Sequence, residues 1–80
     1  MALVYILLSK NFNKTYVGST TDLNRRIKEH NAGNHKFTKR YVPWEIMHIE
    51  KYPALIEARK REKYLKSCAG RKFIKNLMKN

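Results

Sequence analysis

Residues Leu3 to Ser9 read Leu-Val-Tyr-Ile-Leu-Leu-Ser, apolar on both faces and carrying β-branched Val4 and Ile6. A strand covered on one side only would alternate, so this run predicts a central strand. Asn11-Phe12-Asn13-Lys14 supplies turn chemistry, and Lys14 to Ser19 follows as a second strand, so the two make a hairpin. Thr20, Thr21 and Asp22 offer capping oxygens for a helix from about residue 22 to His30. Asn31 to Pro43 reads as a polar, basic loop with Gly33 near its start. Trp44 to Lys51 is a third strand with Pro43 just before it. Pro53 fits the first turn of a helix running to about Ser67. Gly70 then breaks the chain, and a last helix from about Arg71 to Met78 carries Phe73, Ile74, Leu77 and Met78 on one stripe. The predicted order is β-β-α-β-α-α in one domain over residues 1–80, and periodicity alone does not choose the sheet order.

Several polar residues violate this pattern. Leu23 and Ile27 define the apolar stripe of the first helix, and Arg26 and His30 fall beside them, while Asn24, Arg25, Lys28 and Glu29 lie on the other side. Arg26 therefore points toward the body of the protein, where a guanidinium needs an anionic partner or a water-filled cleft. In the second long helix Glu62 sits among Leu55, Ala58 and Leu65. This carboxylate can pair with Arg26 or bind a metal, and on pattern alone the simpler account is a structural salt bridge. His30 alone reads as a helix-end histidine bonded to backbone. The three together suggest more, because perturbed polar groups gather at functional sites. Tyr5 and Tyr16 read singly as strand aromatics filling a small core. Gly18, two residues from Tyr16 and on its face, marks close approach of another backbone or of a ligand.

Charge changes the picture most. Among 80 residues, 18 Lys and Arg face 6 Asp and Glu, a net charge of +12. Self-repulsion on this scale is relieved by a polyanion, and nucleic acid gains further from counterion release. A membrane surface is the rival partner, but it needs a long apolar stretch or a basic amphipathic anchor. The longest apolar run, Ala2 to Leu8, is too short to span a bilayer and lacks the flanks of a secretory signal. With 42% apolar residues, five Tyr, three Phe and a Trp, the chain is globular and not a disordered basic arm. Cys68 is the one cysteine, so no internal disulfide forms and a reducing cytoplasm is the expected compartment.

Leu3-Val4-Tyr5, Tyr16-Val17-Gly18, Arg26 and His30 together resemble the GIY-YIG nuclease family. Leu-Val replaces Gly-Ile in the first motif, and Val replaces Ile in the second. Thr21-Asp22-Leu23, Arg25-Arg26, His30-Asn31, Lys36-Phe37-Thr38-Lys39, Pro43-Trp44-Glu45 and Glu57-Ala58 leading to Arg61-Glu62 are similar to its small stand-alone, excinuclease-C-like branch, from residue 3 to about 74. The resemblance implies an α+β fold with a small three-stranded antiparallel sheet flanked by helices. It also implies metal-dependent endonuclease cleavage of nucleic acid, DNA first, of a structure-specific and repair-related kind. By position, Glu62 resembles the ligand of one Mg²⁺ or Mn²⁺ ion, and Arg26 the arginine that holds the scissile phosphate. Tyr16 resembles the tyrosine that orients or deprotonates the attacking water. Tyr5 and His30 match supporting positions. Ser19 stands where some relatives carry a lysine.

These residue types suit the chemistry. Hydrolysis of a phosphodiester adds charge to an anionic centre, so catalysis is mostly positioning and charge stabilisation. One carboxylate suits Mg²⁺, which keeps most of its waters. A guanidinium grips two phosphate oxygens where lysine cannot. Either Tyr16, with its acidity raised by cations, or His30 can take the water's proton. Gly18 and Ser19 border that site. Lys36, Lys39 and Arg40, with His35, Phe37 and Tyr41, form the expected substrate-binding loop, and Arg71, Lys72, Lys75 and Lys79 read as the solvated face of a core-covering helix. Two readings compete with the nuclease. One is a non-catalytic nucleic-acid-binding module on the same fold. The other is a basic protein of membrane surfaces or ribosomes. No separate recognition domain is visible, so selectivity would come from substrate shape or a protein partner.

Overall fold

A computed structural model describes residues 1–79. It contains β1 (Ala2–Ser9), β2 (Thr15–Thr20), α1 (Leu23–Asn31), a short 3-10 helix (Thr38–Tyr41), β3 (Trp44–Tyr52), α2 (Leu55–Leu65) and α3 (Cys68–Met78). The three strands form an antiparallel sheet in the order β2-β1-β3, so the strand that is apolar on both faces is the central one.

Each face of β1 has its own core. Ala2, Val4 and Ile6 point to the side covered by α2 and α3, where they meet Ala58, Leu65 and Ile74. Tyr5 and Leu7 point to the other side, against Trp44 and the stripe of α1 formed by Leu23 and Ile27. Val4, Tyr5, Ile6, Leu7 and Leu65 are fully buried. Each such aliphatic side chain contributes about 1.5–3 kcal/mol by leaving water.

Short polar contacts fix the connections. The Asp22 side chain accepts from the Arg25 amide and starts α1. Ser9 donates from its hydroxyl to the Tyr41 carbonyl at 2.6 Å and accepts from the Phe12 amide at 3.2 Å, tying the hairpin to the 3-10 segment. The Asn31 side chain grips both backbone groups of Trp44, at 2.6 and 3.2 Å, and so locks the end of α1 to the start of β3. On the opposite face Glu50 accepts from Arg61 at 2.8 and 3.1 Å and from Tyr52 at 2.8 Å, and lies 2.9 Å from His48. Arg61, with Tyr52 and His48, overrides the effect of burial and holds Glu50 down at about 2.

Three sequence expectations need correction. The segment between α1 and β3 is not all loop, because Thr38–Tyr41 is helical. Pro53 precedes α2, whose cap is Ala54. Gly70 does not break the chain: α3 begins at Cys68, and Gly70 lies in its first turn, its amide bonded to Ser67 Oγ at 3.4 Å. A Cβ there would collide with the backbone of Tyr64 and Leu65, so glycine is needed for close approach and not as a stop.

Replacing Gly70 by alanine is therefore expected to destabilise the fold by about 2 kcal/mol or more, since backbone cannot step aside as a side chain would. Urea unfolding measures it, and an unchanged midpoint would show that the corner between α2 and α3 opens freely.

Candidate active site

The site is built outward from one phenol. The β1–β2 register sets Tyr5 opposite Gly18, and the space a Cβ of Gly18 would need is taken by the Tyr5 ring and hydroxyl. The smallness of Gly18 thus lets the phenol lie across β2. Tyr5 Oη is 3.2 Å from His30 Nε2, and His30 Nδ1 is 2.9 Å from Thr38 Oγ1. The Thr38 carbonyl accepts from Trp44 Nε1 at 2.9 Å. Tyr5, His30 and Thr38 are all sealed from solvent. Burial, reinforced by Tyr16, pushes Tyr5 up to about 12. Burial also pushes His30 down to about 4, helped by His35, which stacks on it at 4.2 Å, and by Arg26. Both groups are neutral at physiological pH, and with a hydroxyl at each end the imidazole is satisfied in either tautomer.

Tyr16 is the more open phenol. It is half-buried, 4.9 Å from the His30 ring, 6.4 Å from Tyr5 and 6.2 Å from Phe37 between centroids. Lys66 Nζ stands 5.9 Å from its ring. From α1, Arg26 reaches inward, and its Nε is buried without a hydrogen-bond partner. Its nearest anion is Glu29, at 3.6 Å, a carboxylate also approached by Arg25 at 3.7 Å and His35 at 3.6 Å. From α2, Glu62 accepts from Ser19 Oγ at 2.5 Å and from Lys66 Nζ at 2.7 Å. Burial raises the Glu62 pKa, but Lys66 and Ser19 outweigh it and the net direction is down, so the group is an anion. Arg26 and Glu62 form no ion pair with each other among the described residues. Both charges are near enough to act on Tyr5, Arg26 more strongly than Glu62.

Among the described residues no three His, Cys, Asp or Glu side chains gather around a possible metal position. Glu62 is a lone anionic carboxylate whose side chain is 22% exposed. That donor set fits a hard cation that keeps most of its water, not a zinc-type site with three or four protein ligands. The exposed Lys66 ammonium would have to swing away from Oε2.

The residues expected to bind substrate divide in two. Ser19 stands within the site, on Glu62. Lys36, Lys39 and Arg40 are exposed and line a separate shallow groove of about 400 Å³ with Phe37 and Tyr41. Phe37 joins that groove to Tyr16. Four participants escaped the sequence reading. Thr38 lay in a stretch without periodicity, and Asn31 was seen only as a motif letter. Glu29 fell off the apolar stripe. Lys66 was one more cation near a helix end, although its spacing of four from Glu62 was a usable signal.

Comparison with known proteins bears on the family and the fold. The family model described as GIY-YIG catalytic domain matches residues 1–75. A UPF0213 protein of Listeria welshimeri is 43% identical over 66 residues, 81% of this chain and 73% of that one. A UPF0213 protein of Halobacterium salinarum is 42% identical over 55 residues, 68% of this chain and 71% of that one. The solution NMR structure of a UPF0213 protein from Bacillus halodurans superposes with a TM-score of 0.55 at 33% identity, covering 96% of this chain and 85% of that one. Among the described residues no helix is long and apolar enough to cross a membrane.

The buried imidazole makes a test available. His30 titrates near 6.5 when unfolded and at about 4 when folded, so between these values only the unfolded chain takes the proton. Stability should fall as pH drops through that window, by about 2 kcal/mol from pH 7 to pH 5. Below it Glu50, displaced from 4.5 to about 2, adds a second loss. Urea midpoints across pH measure both. A flat profile between pH 7 and 5 would mean that His30 is solvated.

Proposed function

The chain belongs to the GIY-YIG family of endonucleases, and on that premise we propose that it is a divalent-metal-dependent endonuclease cutting phosphodiester bonds in DNA. The observation that carries the reading is that Tyr16, Arg26 and Glu62, from three different elements, all act on the Tyr5 hydroxyl that meets His30. A guanidinium held next to a phenol hydroxyl is suited to grip phosphate oxygens with its remaining N–H groups.

In this reading Arg26 holds the scissile phosphate and stabilises the charge that grows on it. Tyr16, the more open of the two strand phenols, orients the attacking water and takes its proton. Tyr5 keeps its own proton at neutral pH and offers a hydroxyl dipole. His30 touches no substrate: it is a positioning residue that fixes Tyr5 and the flank of Tyr16. Glu62 holds one Mg²⁺ or Mn²⁺ ion, which when bound supplies Lewis-acid stabilisation of the leaving oxygen. Ser19 orients Glu62 from β2. Lys66 neutralises Glu62 in the resting protein. Lys36, Lys39 and Arg40 bind phosphates away from the cut. A reducing compartment such as the cytoplasm suits a chain whose one cysteine, Cys68, is free and exposed. The second reading is a binding module without catalysis. It draws on the Glu62–Lys66 pair, which already satisfies the carboxylate.

Two substitutions separate these readings. Glu62→Ala should remove Mg²⁺-dependent cutting while DNA affinity is kept or raised. Arg26→Lys should lower kcat by about 10²-fold or more although the charge is kept, because lysine lacks the planar fork. Cutting by the Glu62 variant at the wild-type rate would leave the binding module as the better account.

A further inference from the structure

We propose that the furrow between the free edge of β2 and α3 holds a single-stranded tail of the same DNA, running from Tyr16 past Lys66 and Arg71 to Lys75 and Lys79. The proposal rests on the nuclease reading and names the form of substrate that this site takes.

Two cavities make the path. One, of about 350 Å³, is lined by Tyr16 and Lys66 together with Thr15, Arg71 and Ile74. The next, of about 540 Å³, shares Thr15, Arg71 and Ile74 and continues to Lys75, Met78 and Lys79. Because they share three lining residues they adjoin one another, and Tyr16 lines the inner one. No acidic side chain lines either part. The chain carries no Asp or Glu after Glu62, whereas Glu45 and Glu50 lie on β3 at the far edge of the sheet. Arg71, Lys75 and Lys79 recur every fourth residue, so they share one face of α3 and advance about 6 Å per step. Arg71 and Lys75 are exposed and enter no ion pair among the described residues. Cations that served only to solvate the helix would need no such alignment along a cavity leading to Tyr16.

The floor decides between duplex and single strand. Ile74 is 7% exposed, and with Met78 it makes the base of the furrow apolar beneath a cationic rim. A duplex offers a groove of this kind phosphates alone and leaves the floor unmatched. A strand with unpaired bases covers the floor with its bases and meets the rim with its phosphates. Since β2 is an edge strand, its outward backbone groups have no strand partner and can bond that chain as well.

The test is anisotropy binding without divalent metal, comparing a duplex bearing a single-stranded DNA tail with a blunt duplex of equal total length. Arg71→Gln/Lys75→Gln/Lys79→Gln should weaken binding of the tailed DNA about tenfold or more near 0.1 M salt, and reduce the slope of log affinity against log salt by about two. The blunt duplex should lose less than about threefold. Lys28→Gln/Lys60→Gln/Lys63→Gln removes the same charge from outside the furrow, and should leave the preference for the tail intact. Equal losses on both DNAs, equal losses in both variants, or no loss would overturn the furrow while leaving the nuclease reading standing. A wild-type protein that binds neither DNA would overturn both.

Discussion

The Tyr5 hydroxyl, the His30 imidazole and the Thr38 hydroxyl form a hydrogen-bonded chain without access to water, and the central strand, the first helix and the 3-10 segment meet on it. Each member could be lost only by leaving a buried polar neighbour unpaired, at about 1–3 kcal/mol for each orphaned group. The same burial that makes the chain costly to break keeps its phenol and imidazole neutral. Gly18 belongs to this constraint, because only an absent side chain lets the Tyr5 ring lie where it does. The chain thus gives Tyr16 and Arg26 a rigid floor, and the cleft above it inherits its shape.

Arg26 and Glu62 each find their ion-pair partner close by in sequence and not in one another. Arg26 leans on Glu29 three residues on, and Glu62 on Lys66 four residues on. A direct Arg26–Glu62 bond would have closed the cleft with a strong internal pair. Partly exposed pairs within one helix are weak, and in the proposed function a phosphate or a hydrated cation would displace them. Arg26 Nε stays 3.6 Å from Glu29, beyond hydrogen-bond distance.

Much of this was legible in the chain, for a physical reason. A polar residue on an apolar stripe is conspicuous, so Arg26 and Glu62 stood out, and an all-apolar strand announced its central place. What stayed hidden was set by tertiary contact. His30 was visible as a candidate base, but its burial between two hydroxyls was not. Gly70 was read as a stop, because glycine is used both for ending helices and for letting backbones touch. Glu29 and Lys66 sit at ordinary surface positions, and only coordinates reveal which charge each of them meets. The cations of α3 read as a solvated face, since a furrow between a helix and a distant strand edge has no periodicity to betray it.

The order of the strands in the sheet bears on how the protein is made. The central strand is the first in sequence, yet its neighbour β3 reaches it only through pairs such as Ala2 with Tyr52, and the carboxylate that completes the cleft comes later still, at Glu62. A nascent chain emerging from the ribosome therefore carries its phenols, guanidinium and imidazole long before it can assemble them. The side chains of the candidate site are first brought together only as synthesis nears α3.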